Sequence, residues 1–121
     1  MDFAKRLEEQ WAEETAELRE IRVPELDKDG EEYSVFVKPA NLMVRDKIYK
    51  YSLDNSLLAV AATIVWRALN QDGTRMYRPT DETIRRMATS TNADILGRVA
   101  GEINSDMNID MNVEVDSAEK N

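Results

Sequence analysis

Two residue types with distinctive chemistry are missing from this sequence. Neither cysteine nor histidine occurs in its 121 residues. Without cysteine there is no disulfide and no thiolate nucleophile, and without histidine most zinc sites and imidazole acid–base catalysis are excluded. The four glycines are scattered along the chain, so they form no glycine-rich phosphate loop. We therefore predict a protein that is not an enzyme, with no catalytic residue, no cofactor and no metal site.

Long apolar segments are also missing. The longest nearly continuous one, residues 57–66, is far shorter than the roughly 20 residues needed to cross a bilayer. The charged stretch after Met1 lacks the apolar region of a secretory signal. We expect a cytoplasmic protein without membrane contact.

Acidic residues exceed basic ones by 24 to 16, and the excess lies at the two ends of the chain. Residues 1–40 contain twelve acidic and six basic residues, residues 41–100 contain six and nine, and residues 101–121 contain six and one. Nonspecific nucleic-acid binding requires clustered Lys and Arg, so nucleic acid is not an expected partner. The acidic ends are expected to keep the chain soluble.

The first twenty residues predict an amphipathic helix. Phe3, Leu7, Trp11 and Leu18 recur among charged residues at spacings of four, four and seven. This stripe has two interpretations: it belongs to the core, or, because it lies on an N-terminal arm, it binds a partner. We treat residues 1–20 as an arm and these four side chains as candidate partner-binding residues.

The apolar periodicity then changes to two, which predicts a β-hairpin over residues 21–38 with its turn at residues 27–30. The turn resembles the beginning of a calcium-binding loop, but the twelfth position is Lys38, where a carboxylate is required. Pro24 has no N–H to donate, which indicates that the first strand is an edge strand.

Four helical segments are predicted after the hairpin. Asn41 caps the first, and the apolar segment 57–69 forms a central helix. Thr80 opens a third, and the fourth begins near Thr91 or Asn92 and ends near Met107.

The predicted fold class is therefore α+β and mostly helical, with four or five helices and one small N-terminal β-hairpin. The predicted organisation is an arm (residues 1–20), one domain (residues 21–107) and an acidic mobile tail (residues 108–121).

Two acidic pairs have residue types that a hydrolase or a magnesium site uses, Asp81 with Glu82 and Asp106 with Asp110. The first pair is better explained by the positive end of a helix dipole. The second lies where the fold is expected to end. Neither pair changes the prediction that the chain is not an enzyme.

Three stretches of the chain carry a resemblance to a known protein family. The first is the arm followed by a valine-proline strand, the VFVKP sequence of residues 35–39 and the NLMVRD helix of residues 41–46. The second is the apolar helix running into residues 70–77, where Asp-Gly precedes an aromatic residue and then a helix-opening hydroxyl. The third is the acidic tail closing on residues 118–121. Together these stretches resemble the tail assembly chaperones of long-tailed phages. The resemblance spans about residues 17–121; Pro79 lengthens the link in its second stretch.

The resemblance implies a function as well as partners. Members of this family bind the tape measure protein, keep it soluble and help recruit subunits of the major tail tube protein, without a cofactor. They work in the host cell cytoplasm, are absent from the mature virion and are expected to be homo-oligomers. Met76 and Tyr77 join the candidate partner-binding residues, since methionine offers an adaptable apolar surface; for most methionines, core filling is the other interpretation.

Family members often have a longer form made by a minus-one ribosomal frameshift near the end of the reading frame, and the extension recruits the tail tube protein. Glu119, Lys120 and Asn121 are compatible with a slippery heptamer. Alternatively, they merely end a solvated tail.

Two other functions compete with the chaperone hypothesis. A head-tail connector or neck protein would be a structural part of the virion. An acidic DNA mimic would inhibit a host nuclease by presenting carboxylates, but the net basic middle section disfavours it.

Overall fold

The computed structural model describes residues 2–105, which form five helices and a two-stranded antiparallel sheet. The predicted α+β, mostly helical fold with one small hairpin is confirmed, although the hairpin follows the first helix. The predicted tail, residues 108–121, lies outside the described residues. In chain order the elements are α1 (Phe3–Glu14), β1 (Arg19–Arg22), a 3₁₀ helix (Pro24–Leu26), β2 (Ser34–Val37), α2 (Leu42–Asp54), α3 (Ser56–Arg67), α4 (Asp81–Ser90) and α5 (Ala93–Ile103).

The β-hairpin buries one face of its two strands. Ile21 lies opposite Val35 in the register, and both are buried together with Val37. β2 also pairs beyond the hairpin, because the Phe36 N–H and carbonyl both bond to Leu69, after the end of α3. Within the described residues β1 is thus the edge strand, as the proline that follows it predicted.

The hairpin loop contains a tight turn at its tip. The Lys28 N–H donates to the Glu31 carbonyl, and the Glu31 N–H donates to the Lys28 carbonyl. Between them, Asp29 and Gly30 have positive φ angles of 54° and 78°. A turn with two positive φ angles matches the twist of paired strands, and Asp-Gly is a favoured sequence for it. The predicted turn is therefore confirmed.

The five helices all begin with a side-chain cap. In each case an oxygen of the capping residue accepts a hydrogen bond from a backbone N–H of the first turn, which otherwise lacks a partner. Two of these caps, Asn41 and Thr80, were predicted. In chain order the caps are Asp2, Asn41, Asn55, Thr80 and Asn92.

α1 is shorter than predicted, and Leu18 does not lie on it. The helix ends at Glu14, where the Thr15 hydroxyl donates to the Trp11 carbonyl at 2.8 Å. Such local bonds of threonine compete with helix continuation. Leu18 lies in the connection between α1 and β1 and is half-buried. Its Cδ1 atom is 4.0 Å from the position that a Cβ atom on Gly73 would occupy. The seven-residue spacing from Trp11 to Leu18 places both side chains on one face only if the helix continues to Leu18, and it does not.

α3 is the central helix, as predicted, and it contacts α2, α4 and α5. One side of it faces a core cluster shared with the hairpin and α5, in which Ile64 meets residues such as Val99. Its other side contributes Ala61 and Ala62 to a second cluster, centred on Ile84 of α4. The hairpin, α4 and α5 are all positioned by this one helix.

Two arginines hold the C-terminal end of α5. Arg67 is only 4% exposed; its guanidinium donates to the Ile103 carbonyl at 3.1 Å and to the Lys38 carbonyl at 2.9 Å. Arg19 of β1 donates to the same Ile103 carbonyl at 2.9 Å. The last carbonyls of a helix lack partners inside it and form the negative end of its dipole. The two guanidiniums therefore fix α5 to α3 and to the sheet.

Candidate partner-binding surface

The predicted stripe on the arm is exposed on α1. No residue of this helix is buried; Phe3 is 78% exposed and Leu7 48%. Spacings of four place Phe3, Leu7 and Trp11 on one helix face. Trp11, which is half-buried, is the member nearest the body of the protein. Phe3 and Leu7 therefore do not belong to the core of the described chain.

A shallow groove of about 520 Å³ lies between α1 and the beginning of α2. Leu7 and Trp11 form its α1 wall, and Ala40, Leu42 and Arg45 form the opposite wall. We call this the arm groove. Its apolar walls are extended by Leu42, which is 83% exposed.

At its inner end the arm groove adjoins a second cavity of about 310 Å³, which Trp11 shares with Trp66, Gly73 and Arg75. The Arg75 guanidinium carbon lies 5.2 Å from the Trp66 ring centroid, a cation–π distance. Trp66 also packs against the core cluster around Ile84.

The arm is acidic around its apolar stripe. α1 contains two basic residues and four glutamates, and Asp2 caps its beginning. Interfaces bring opposite potentials together, so a helix with basic flanks suits this surface better than an acidic one. The glutamates are at positions 8, 9, 13 and 14.

α2 carries a second exposed apolar row, which sequence reasoning missed. Leu42, Tyr49 and Leu53 are 83%, 60% and 68% exposed. On the opposite side of the same helix, Ile48 and Tyr51 pack against the core. The sequence did contain a signal for this row: α2 has apolar residues on both faces. A surface helix needs only one apolar face to pack against the core, so the second face indicates a further contact. We call the outer row the α2 stripe.

Met76 and Tyr77 lie in another part of the fold. Both are half-buried and pack against the core cluster of the hairpin and α5. Tyr77 lines an apolar cleft of about 210 Å³ with Val35 and Leu96, whereas Met76 accepts a long hydrogen bond from Tyr33, 3.8 Å from oxygen to sulfur. These two residues and the arm residues thus line different cavities.

The 3₁₀ helix at the mouth of this cleft is held by one ion pair. Arg98 Nε of α5 donates to a Glu25 carboxylate oxygen at 2.8 Å, and each side chain is about one-third exposed. This hydrogen bond lowers the pKa of Glu25 below its ordinary value of 4.5. A carboxyl with a lowered pKa stabilises the folded state above the unfolded pKa and loses that contribution as pH falls through the folded pKa.

We therefore expect Glu25→Gln to reduce stability slightly at pH 7, and the difference from the unmodified chain to shrink as pH falls below 4.5. Urea unfolding at pH 7 and about pH 3 measures both values. Glu32→Gln is the control, because Glu32 lies outside the helices, is 78% exposed and is 4.0 Å from its nearest cation, Arg22. A stability difference for Glu25→Gln that is equal at both pH values would contradict the expectation.

Comparison with known proteins gives no match: the chain matches neither a family model, nor a curated protein, nor a solved structure. Across residues 2–105, no group of three or more acidic side chains is arranged to hold a metal ion. The helices in that part of the chain are all too short or too polar to span a bilayer. A function is therefore inferred from the exposed apolar surfaces.

Proposed function

We propose that this chain is a tail assembly chaperone of a long-tailed phage, which binds the tape measure protein and keeps it soluble. The proposal starts from the sequence resemblance. The observation that carries it is the apolar stripe of α1: Phe3 and Leu7 are exposed, and Leu7 and Trp11 face Leu42 across the arm groove. In this role the chain works in the host cell cytoplasm and is absent from the mature virion.

The arm groove suits a helical partner. From Phe3 to Trp11 the stripe extends over two helical turns, about 12 Å. An amphipathic helix presents apolar side chains at similar intervals and places them in grooves of this kind. The acidic flanks of α1 favour a segment with basic flanks.

One such contact is small, so each chain binds its partner weakly. A tape measure protein offers many helical segments in sequence, and linked chains bind such a ligand with a high effective concentration. Self-association of the chaperone would therefore increase its apparent affinity for the tape measure protein. Recruitment of the tail tube protein is assigned to the longer, frameshifted form, whose junction lies outside the described residues.

The test is co-expression with the tape measure protein of the same phage. Changing Phe3 and Leu7 together to glutamate removes two exposed apolar side chains, each worth roughly 1.5–3 kcal/mol when buried. We expect at least about a tenfold loss of capture, which corresponds to about 1.4 kcal/mol. Co-purification and the soluble fraction of the tape measure protein are the measurements.

Leu26→Glu provides a matched control for the Leu7→Glu change, because Leu26 is 47% exposed and lies on the 3₁₀ helix, away from the arm. It should leave capture unchanged. If the arm variant is folded by circular dichroism and captures as well as the control, the arm groove is not the binding site. Finding the chain in purified virions would instead favour a connector or neck protein.

A further inference from the structure

We propose that two copies of this chain associate through the α2 stripe, with the two α2 helices antiparallel across a two-fold axis. The observations that carry this inference are the position of the stripe and the charges beside it. They do not depend on the chaperone hypothesis, and the surface is separate from the arm groove except at Leu42.

The α2 stripe forms one narrow row. At 100° per residue, Leu42, Tyr49 and Leu53 fall within about 40° of the helix circumference and extend over roughly 16 Å. Each is at least 60% exposed, and together they form an apolar surface that no residue of the described chain covers. Contiguous exposed apolar side chains mark interaction sites on folded proteins.

A two-fold arrangement pairs the ends of this row with each other. The midpoint between Leu42 and Leu53 lies between positions 47 and 48, and a two-fold axis there places each Leu42 against Leu53 of the second copy. The two Tyr49 side chains then lie near the axis. In such an interface the same surface serves both subunits.

The charges beside the stripe are self-complementary in this arrangement. Asp46 and Lys50 lie on one side of it and form an ion pair of 3.1 Å within the helix, both more than half exposed. In the antiparallel dimer, position 50 of one copy is level with position 45 of the other. Lys50 therefore lies beside Asp46 of the second copy, and the contact occurs twice. Arg45 is on the other side of the stripe, away from Lys50 of the second copy.

A parallel pair related by a two-fold axis would instead put the Asp46 and Lys50 side of one helix next to the Arg45 side of the other, so the two Lys50–Asp46 contacts would not form. Charges at the edge of an interface determine orientation and specificity more than affinity. The pattern thus favours a second copy as the occupant and favours the antiparallel orientation. Two 13-residue helices, each about 20 Å long, form an interface at the low end of specific complexes, so we expect a micromolar dissociation constant.

The experiment is sedimentation of the full chain from about 1 to 200 μM, a range around a micromolar dissociation constant. Leu53→Glu should weaken the dimer at least tenfold, because it places two carboxylates in the apolar row. Lys50→Glu and Asp46→Lys should each weaken it as well, since each creates like-charge contacts across the axis. Lys47→Glu is the control: it makes the same charge change on the far side of α2.

The decisive measurement mixes the two weakened charge variants, Asp46→Lys and Lys50→Glu. In the heterodimer, the two substituted positions face each other with opposite charges, and the native Lys50 of the first chain meets the native Asp46 of the second. Dimer formation should therefore return in the mixture. A chain that is monomeric at the highest concentration, a Leu53→Glu variant that dimerises normally, or a mixture that stays dissociated would each overturn the inference.

Discussion

Replacing Arg67 by alanine is expected to lower the free energy of unfolding by about 3 kcal/mol or more. The side chain is buried, and its guanidinium donates to the Ile103 and Lys38 carbonyls and to the Asn104 side chain. Alanine would remove this donor from the Lys38 carbonyl and the Asn104 side chain, would leave the Ile103 carbonyl with Arg19 as donor, and would leave a cavity beside them. Because a chain of this size is stable by about 5–15 kcal/mol, such a loss is a large fraction of the total.

Denaturant unfolding followed by circular dichroism measures this loss. Arg19→Ala is the matched control, because Arg19 donates to the same Ile103 carbonyl from an exposed position and should cost clearly less. Arg67→Lys keeps the charge but lacks the planar fork of donors, so we expect an intermediate value. An Arg67→Ala variant as stable as Arg19→Ala would show that the buried guanidinium does not hold α5.

Replacing Ile84 by alanine is expected to cost about 3–4 kcal/mol. Ile84 is fully buried on α4 and packs against Ala61, Ala62 and Val65 of α3. Two of these neighbours are alanines, which are too short to fill the space that the isoleucine leaves. The cost therefore includes a cavity term beyond the lost burial of the side chain.

The effect of Ile84→Ala should be greatest on α4, because Ile84 is the buried residue of that helix. Amide hydrogen exchange of α4 should become faster, alongside the lower unfolding free energy. Ile95→Ala offers a comparison, since Ile95 is only partly buried, against the other core cluster. Equal losses for the two variants would contradict the central role of Ile84.

Much of the fold was accessible from the sequence because it depends on local signals. The alternation around Ile21 and Val35, with Asp29 and Gly30 between the strands, predicted the hairpin and its turn. The cap at Asn41 was predictable for the same reason, since a capping side chain bonds to a backbone N–H only a few residues away.

The features that sequence reasoning missed depend on contacts between distant residues. Arg67 lies 36 positions from Ile103 and 29 from Lys38, and no local pattern connects them. Leu18 was assigned to the arm stripe because its spacing fits a helix, but the chain leaves that helix at Thr15. The α2 stripe was not predicted because Ile48 and Tyr51 already supply the apolar row that attaches a surface helix to the core.

The bonds of Arg19 have a consequence for the connectivity of the chain. Its guanidinium reaches the Ile103 carbonyl and, at 3.4 Å, the Ser105 hydroxyl, so the beginning of β1 and the end of α5 are neighbours. The segment from Arg19 to Ser105 therefore begins and ends at one place in the fold. Residues 19–105 taken alone are therefore suited to circular permutation, with a short linker between these two points and new ends in the exposed turn at Gly30.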